Sequence, residues 1–339
     1  MNIVRLLFLM ACAATACAAA PLPVILDTDM DSDVDDVAAL SELHALADRG
    51  EVEILAVMIS GHNEWSAPCV DAIDTFYGRP DLPIGLVSSQ RGIHQNSLYA
   101  REVAKAFPQD FLAKHEKTKA VSLYRRLLAA RPDHSVTIVS IGDLTNLAAL
   151  LDSKPDDYSP LDGRALVGAK VAHYVCMGSR YPAETDPGRG KWGNFRTDPV
   201  STREVVAHWP TLLTFTGGGA FADSMAIGRN IVKLDPRVWP VSLAYRSYFA
   251  KSKSGPVRHS ADLIAVLVAV RGFEPWFKVV EHGSNHIDEI GRNAWREEPD
   301  APNQRYTSEL IHPADAPKVA ALLESLATQP PKAGLPAAR

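Results

Sequence analysis

The sequence predicts an α/β protein with a mostly parallel central sheet, helices on both faces, and a small antiparallel extension near the carboxyl terminus. Short apolar, β-prone runs alternate with segments of helical periodicity from residue 22 to about residue 216, the pattern of repeated strand-helix units. The run Val52 to Ile59 is broken only by Glu53, as a strand buried on both faces requires. Between the first strand and the first helix lie Asp27, Asp29, Asp31, Asp33, Asp35 and Asp36. That is the carboxyl end of a strand, where open α/β sheets bind their ligands.

Leu22 to Leu26 reads as the first strand, and Val37, Leu40, Leu43 and Leu46 set a helix that Gly50 stops. Val52 to Ile59 follows as a strand, closed by Ser60-Gly61-His62-Asn63, then a helix from Ala67 to Tyr77 and a strand from Leu82 to Val87. Residues 97 to 132 read as two helices. Ser135 to Ile141 is a β-branched strand that runs into Gly142-Asp143-Leu144-Thr145-Asn146 and an apolar helix. Val171 to Met177 is a strand, and a polar, glycine-bearing loop occupies 178 to 197. Asp198-Pro199 then opens a helix with cap and first-turn proline in the preferred order. Leu212 to Thr216 is a strand. Pro240 to Ala250 and Ala261 to Val270 read as helices, and Phe277 to Glu281, Asn293 to Glu297 and Tyr306 to Leu310 as short antiparallel strands. His312-Pro313 starts a last helix to about Leu326.

With 339 residues and 46% hydrophobic content the chain can bury one large core. A net charge of −5 without a lysine or arginine cluster argues against nucleic acid or an anionic membrane as partner. Leu6 to Ala20 is apolar or small and follows Arg5, as in an export signal. It is shorter than the ~20 residues of a transmembrane span. Residues 1–20 are thus expected to be a signal peptide, 21–327 one domain and 328–339 a loose tail. The destination is the periplasm or the exterior, with lipid attachment at Cys12 or Cys17 an open variant. The remaining cysteines, Cys69 and Cys176, fall in a helix and a strand and read as buried free thiols.

Six carboxylates in ten positions need more than a helix dipole, which stabilises each by only about 0.3–1 kcal/mol. A hard divalent cation with oxygen ligands meets the need. An EF-hand loop is disfavoured because its glycine and glutamate positions hold Val34 and Leu40. An aspartyl phosphotransferase is disfavoured because no clear partner lysine and acidic pair lie downstream. A solvated capping loop accounts for one or two of the acids rather than six.

These residues resemble the calcium-dependent nucleoside hydrolases of the inosine/uridine-preferring type. The resemblance rests on the Asp-x-Asp, turn, Asp-Asp opening, whose turn here is two residues longer than the short form. It extends to Gly142-Asp143-Leu144-Thr145-Asn146, to Met177-Gly178 with Asn194 before Asp198-Pro199, and to Arg258-His259-Ser260-Ala261-Asp262 before an apolar helix. It implies the Rossmann-like nucleoside hydrolase fold and hydrolysis of the N-glycosidic bond of a ribonucleoside or related riboside. It also implies calcium held by Asp29, Asp36, the Thr145 main-chain carbonyl and Asp262, with Asp35 as general base. Asn63 and Asn194 would contact the ribose, and Trp192 stands where a ribose-binding glutamate is commoner. Ala261 replaces the histidine that many members carry, and Asp31 replaces a common glycine. His259 reads as an ordinary surface histidine rather than a replacement acid. A calcium-dependent riboside-binding protein with little turnover is the alternative, and a homo-oligomer is left open.

Isolated from its native cell envelope, the chain is expected to begin between Cys17 and Pro21, or at Cys12 if lipidated there. Intact mass and N-terminal sequencing check this. A cytoplasmic chain starting at Met1 contradicts it.

Overall fold

Leu22–Thr28 (β1) lies at the centre of the main sheet because both its faces are apolar: Val24 and Leu26 pack on one side and Ile25 on the other. The structure, a computed structural model, describes residues 20–30, 33–89, 97–113, 117–185, 193–298, 300 and 303–335. Asp35–Asp48 (α1) leads to Val52–Ile59 (β2), which pairs parallel with β1. Ser66–Phe76 (α2), Ile84–Leu86 (β3), Ala100–Ala106 (α3) and Thr118–Lys119 (β4) carry the sheet outward in the same sense. Ala120–Ala129 (α4) then returns the chain to Val136–Ser140 (β5), which pairs with the other edge of β1. The strand order therefore reverses between β1 and β5, and a crevice opens at their carboxyl ends.

Beyond β5 come Thr145–Leu151 (α5), Gly163–Lys170 (α6), Val171–Ser179 (β6), Asn194–Thr197 (α7), Pro199–His208 (α8) and Leu212–Gly217 (β7). Helix α6 is not evident in the sequence because two glycines dilute its periodicity. It forms because Asp162 accepts a hydrogen bond from the Ala165 N–H at 2.9 Å and because Leu166 and Val167 are buried. After Ala220–Asp223 (α9), Pro240–Ser252 (α10) and Ala261–Arg271 (α11), the chain adds Phe277–Val280 (β8), Gly283–Ile287 (β9), Asn293–Glu297 (β10) and Gln304–Leu310 (β11). The antiparallel extension is present as the β9-β10 pair. One expectation is corrected: β11 joins the main sheet, parallel to β7 and antiparallel to β8. Its alternation could not reveal the partner's direction, since period two is common to both pairings.

Ala316–Ala327 (α12) closes the chain over α1. Past it, Gln329 accepts a hydrogen bond from Arg49 at 2.8 Å and the Lys332 N–H donates to Asp48 at 2.8 Å, so the start of the expected tail is held against the body. Cys69 in α2 and Cys176 in β6 are buried free thiols. No helix of the described residues is long and apolar enough to cross a membrane.

Helix α1 is enclosed by α2, α11 and α12, and this buries even Glu42, whose two oxygens have no hydrogen-bond partner among the described residues. Burial raises the Glu42 pKa well above the usual carboxylate range, and the Arg271 charge only partly offsets this. A folded pKa above the unfolded one means that the native state binds the proton more tightly, so stability falls as pH rises through that interval. Glu42→Gln is expected to raise the melting temperature at pH 8 by about 2–4 °C for each kcal/mol recovered. The gain should vanish towards pH 4. Equal gains at both pH values contradict this account.

Candidate functional site

A cleft of about 460 Å³ opens at the carboxyl ends of β1, β5, β6 and β7, and Asp29, Asp35, Asp36, Asn194 and Asp262 all line it. Asp29 is fixed by backbone crowding. A Cβ added at Gly142 would lie 2.5 Å from the Asp29 nitrogen, and one added at Gly61 would lie 2.8 Å from its carbonyl oxygen. Only glycine lets the loops after β2 and β5 close on it from both sides. The next residue, Met30, takes a left-handed φ of 47°, a conformation that costs a non-glycine residue roughly 1–2 kcal/mol. Its N–H donates to the Thr28 hydroxyl at 3.0 Å and to Asp36 at 3.3 Å, and its side chain is fully buried, which holds the turn.

Asp35 and Asp36 form the first turn of α1, and Asp262 is the second residue of α11. Two helix N-termini thus point at the cleft. Burial, then the charges of Asp29 and Asp35, push the Asp36 carboxyl well above its usual range, although Thr28 donates its hydroxyl to it. Asp262 is raised in the same direction by burial and then by Asp35, Asp36 and Asp29. Neither has a salt-bridge partner among the described residues. Below them Asp27 is also raised by burial, but Tyr124 and Asn146 donate to it at 2.8 and 3.2 Å. It therefore acts as a braced floor.

Sequence reasoning missed His259 and Arg258. The expected surface histidine has a side chain only 19% exposed: Nε2 lies 3.0 Å from Asp33 and Nδ1 3.1 Å from Asp35. Ionised carboxylates only accept, so both ring nitrogens donate and the ring is an imidazolium. Burial alone would lower its pKa, but Asp35 and Asp33 outweigh burial and hold it up to about 10. Arg258 grips Asp33 through both carboxylate oxygens and stacks over the Tyr248 ring at 5.6 Å. Burial would raise the Asp33 pKa, yet His259 and Arg258 drive it well below normal. Ligand atoms of Asp33, Asp35 and His259 lie within 4.8 Å of one another, a spacing that a metal can use. With two cationic side chains already in place, the trio is an ion-pair cluster. The available signal was the Arg258-His259 pair just ahead of a helix-opening acid.

Asp35 is held at one oxygen only. Its Oδ2 accepts from His259 and from the Asp262 N–H at 3.3 Å, while the buried Oδ1 has no hydrogen-bond partner among the described residues. Asn194 donates to the Ile141 and Met177 carbonyls at 2.8 and 2.9 Å, tying the ends of β5 and β6 at the cleft wall. Asn63 is not among the lining residues; its side-chain oxygen accepts the Trp65 N–H at 2.9 Å and shapes the turn into α2. Thr145 opens α5 outside the lining, with its hydroxyl donating to Asp198 at 2.9 Å. Trp192 and Asp31 lie outside the described residues. The donors facing the cleft are oxygen atoms of desolvated, mutually repelling acids, and such a set fits a hard divalent cation.

The family model for inosine-uridine preferring nucleoside hydrolases matches residues 24–306. A comparison with curated protein sequences finds no match. Among solved structures, an inosine-guanosine nucleoside hydrolase is similar at 17% identity and a TM-score of 0.67, covering 90% of this chain and 98% of that one. An inosine-uridine preferring nucleoside hydrolase from Bacillus anthracis is similar at 15% identity and a TM-score of 0.64, covering 90% and 99%. The type III effector protein XopQ, complexed with adenosine diphosphate ribose, is similar at 18% identity and a TM-score of 0.62, covering 94% of each chain. These likenesses show the fold, and the family match over most of the length shows that the chain belongs to the inosine-uridine preferring nucleoside hydrolases, hydrolases that act on N-glycosyl bonds.

Proposed function

We propose that this protein hydrolyses the N-glycosidic bond of a ribonucleoside or related riboside with calcium as its metal and Asp35 as general base. The observation that carries this reading is the pair of unlike oxygens on Asp35, one fixed by donors and one buried in the cleft without a hydrogen-bond partner among the described residues. Asp29, Asp36, Asp262 and the Thr145 main-chain carbonyl would hold calcium, which when bound would supply a positive centre able to acidify water and attract vicinal ribose hydroxyls. Asp35 Oδ1 accepts the proton of the attacking water, which adds to the anomeric carbon as the bond to the base breaks. Positive charge gathers on the ribosyl ring at that moment, and the surrounding carboxylates favour it. Asn194 keeps the wall at the ends of β5 and β6 in place while the ribose binds. An oriented base favours turnover over binding alone.

The departing base finds no acid where Ala261 lines the cleft, and both N–H groups of His259 are spent on carboxylates. General acid assistance is typically worth ~10²–10⁴ in rate. Inosine is therefore expected to be a slow substrate, and a 4-nitrophenyl riboside, whose leaving group needs no proton, a much faster one. Asp35→Ala should abolish both reactions while the bound calcium, measured by elemental analysis, is retained. Similar chemistry-limited rates for the two substrates, or full activity of the Asp35 variant, contradict the assignment.

A further inference from the structure

Asp33, two residues before the proposed general base, lies 3.0 Å from the far nitrogen of the His259 ring. The same ring holds Asp35 Oδ2 with its near nitrogen at 3.1 Å. Arg258, the neighbour of His259, grips the Asp33 carboxylate and is itself braced on Tyr248. A chain of contacts thus runs from α10 through Arg258, Asp33 and His259 to the general base. Without it, Asp35 would keep one donor among the described residues, the Asp262 N–H at 3.3 Å, a long contact near the limit of a hydrogen bond. The carboxylate could then rotate and present either oxygen.

We propose that His259 is a positioning residue that fixes Asp35 with Oδ1 towards the attacking water, and that Asp33 and Arg258 exist to hold His259 in that pose. Asp33 and the Arg258-His259 pair then act as one device. This inference rests on the hydrolase reading above. It differs from a replacement-acid role for His259, because a ring whose two protons are both engaged by carboxylates does not donate to a leaving base.

The test uses the full-length protein with calcium and the 4-nitrophenyl riboside, which needs no acid. His259→Ala should lower kcat on the order of 10²-fold, the usual cost of a reacting group displaced by about 1 Å, with KM nearly unchanged and the melting temperature lowered by the loss of a buried cation. The amide nitrogen of His259→Asn occupies the place of Nδ1 and should recover most of the loss. His259→Gln, which reaches only towards Asp33, should not. Asp33→Ala should show the same kcat-only loss at a smaller size. A His259→Ala enzyme that keeps its kcat on the phenolic riboside while losing inosine turnover assigns the acid role instead and overturns the proposal. Indistinguishable Asn and Gln variants overturn it as well. A wild type inert on every riboside overturns the hydrolase reading and this inference with it, whereas an active wild type with indifferent variants overturns the inference alone.

Discussion

The mutual repulsion of buried carboxylates at the end of β1 is the constraint on which the rest of the molecule depends. Two like charges about 4 Å apart repel by roughly 4 kcal/mol at an effective dielectric near 20. A helix N-terminus returns about 0.3–1 kcal/mol for each acid it faces. The N-termini of α1 and α11 together cannot balance Asp29, Asp35, Asp36 and Asp262 in one desolvated crevice. The fold resolves part of the problem itself. Arg258 and His259 neutralise Asp33 and Asp35, and a bound divalent cation would balance Asp29, Asp36 and Asp262.

That division of charge separates two tasks within one loop. Asp36 and Asp262 stay without cationic side chains among the described residues, as suits the proposed metal ligands, while Asp35 is restrained at one oxygen and open at the other. The rigid surroundings serve the same end. Gly61 and Gly142 let the chain close around Asp29, and Met30 accepts a left-handed backbone so that Thr28 and Asp36 can share the turn. Strain at a site of this kind persists because the neighbouring contacts over-determine it.

Much of this was legible in the sequence because it followed from local pattern. The apolar run at Val52–Ile59 and the proline after Asp198 fixed elements whose boundaries the structure reproduces closely. The acids of the site were visible because a solvated loop has no use for six of them. What stayed hidden was relational. The direction of Gln304–Leu310 against its neighbours depends on the whole sheet, and the partnership of His259 with Asp33 joins residues 226 positions apart. A single histidine offers no periodicity to read, so its burial emerged only from the meeting of the α11 start with Asp35. Asn63 and Thr145 show the converse, since their place in a motif left unsaid what their side chains bond to, Trp65 and Asp198.

Calorimetric titration of calcium into chelator-treated protein at pH 7, repeated on Asp36→Asn and paired with melting curves, tests the central claim most directly. The account predicts a single strong site in the wild type, weakened at least about tenfold by loss of one charged ligand at a cost of about 1.4 kcal/mol or more. It also predicts stabilisation of about 2.7 kcal/mol when calcium reaches 100 times its dissociation constant. No heat of binding together with an unmoved melting curve would show that the buried acids are balanced in some other way.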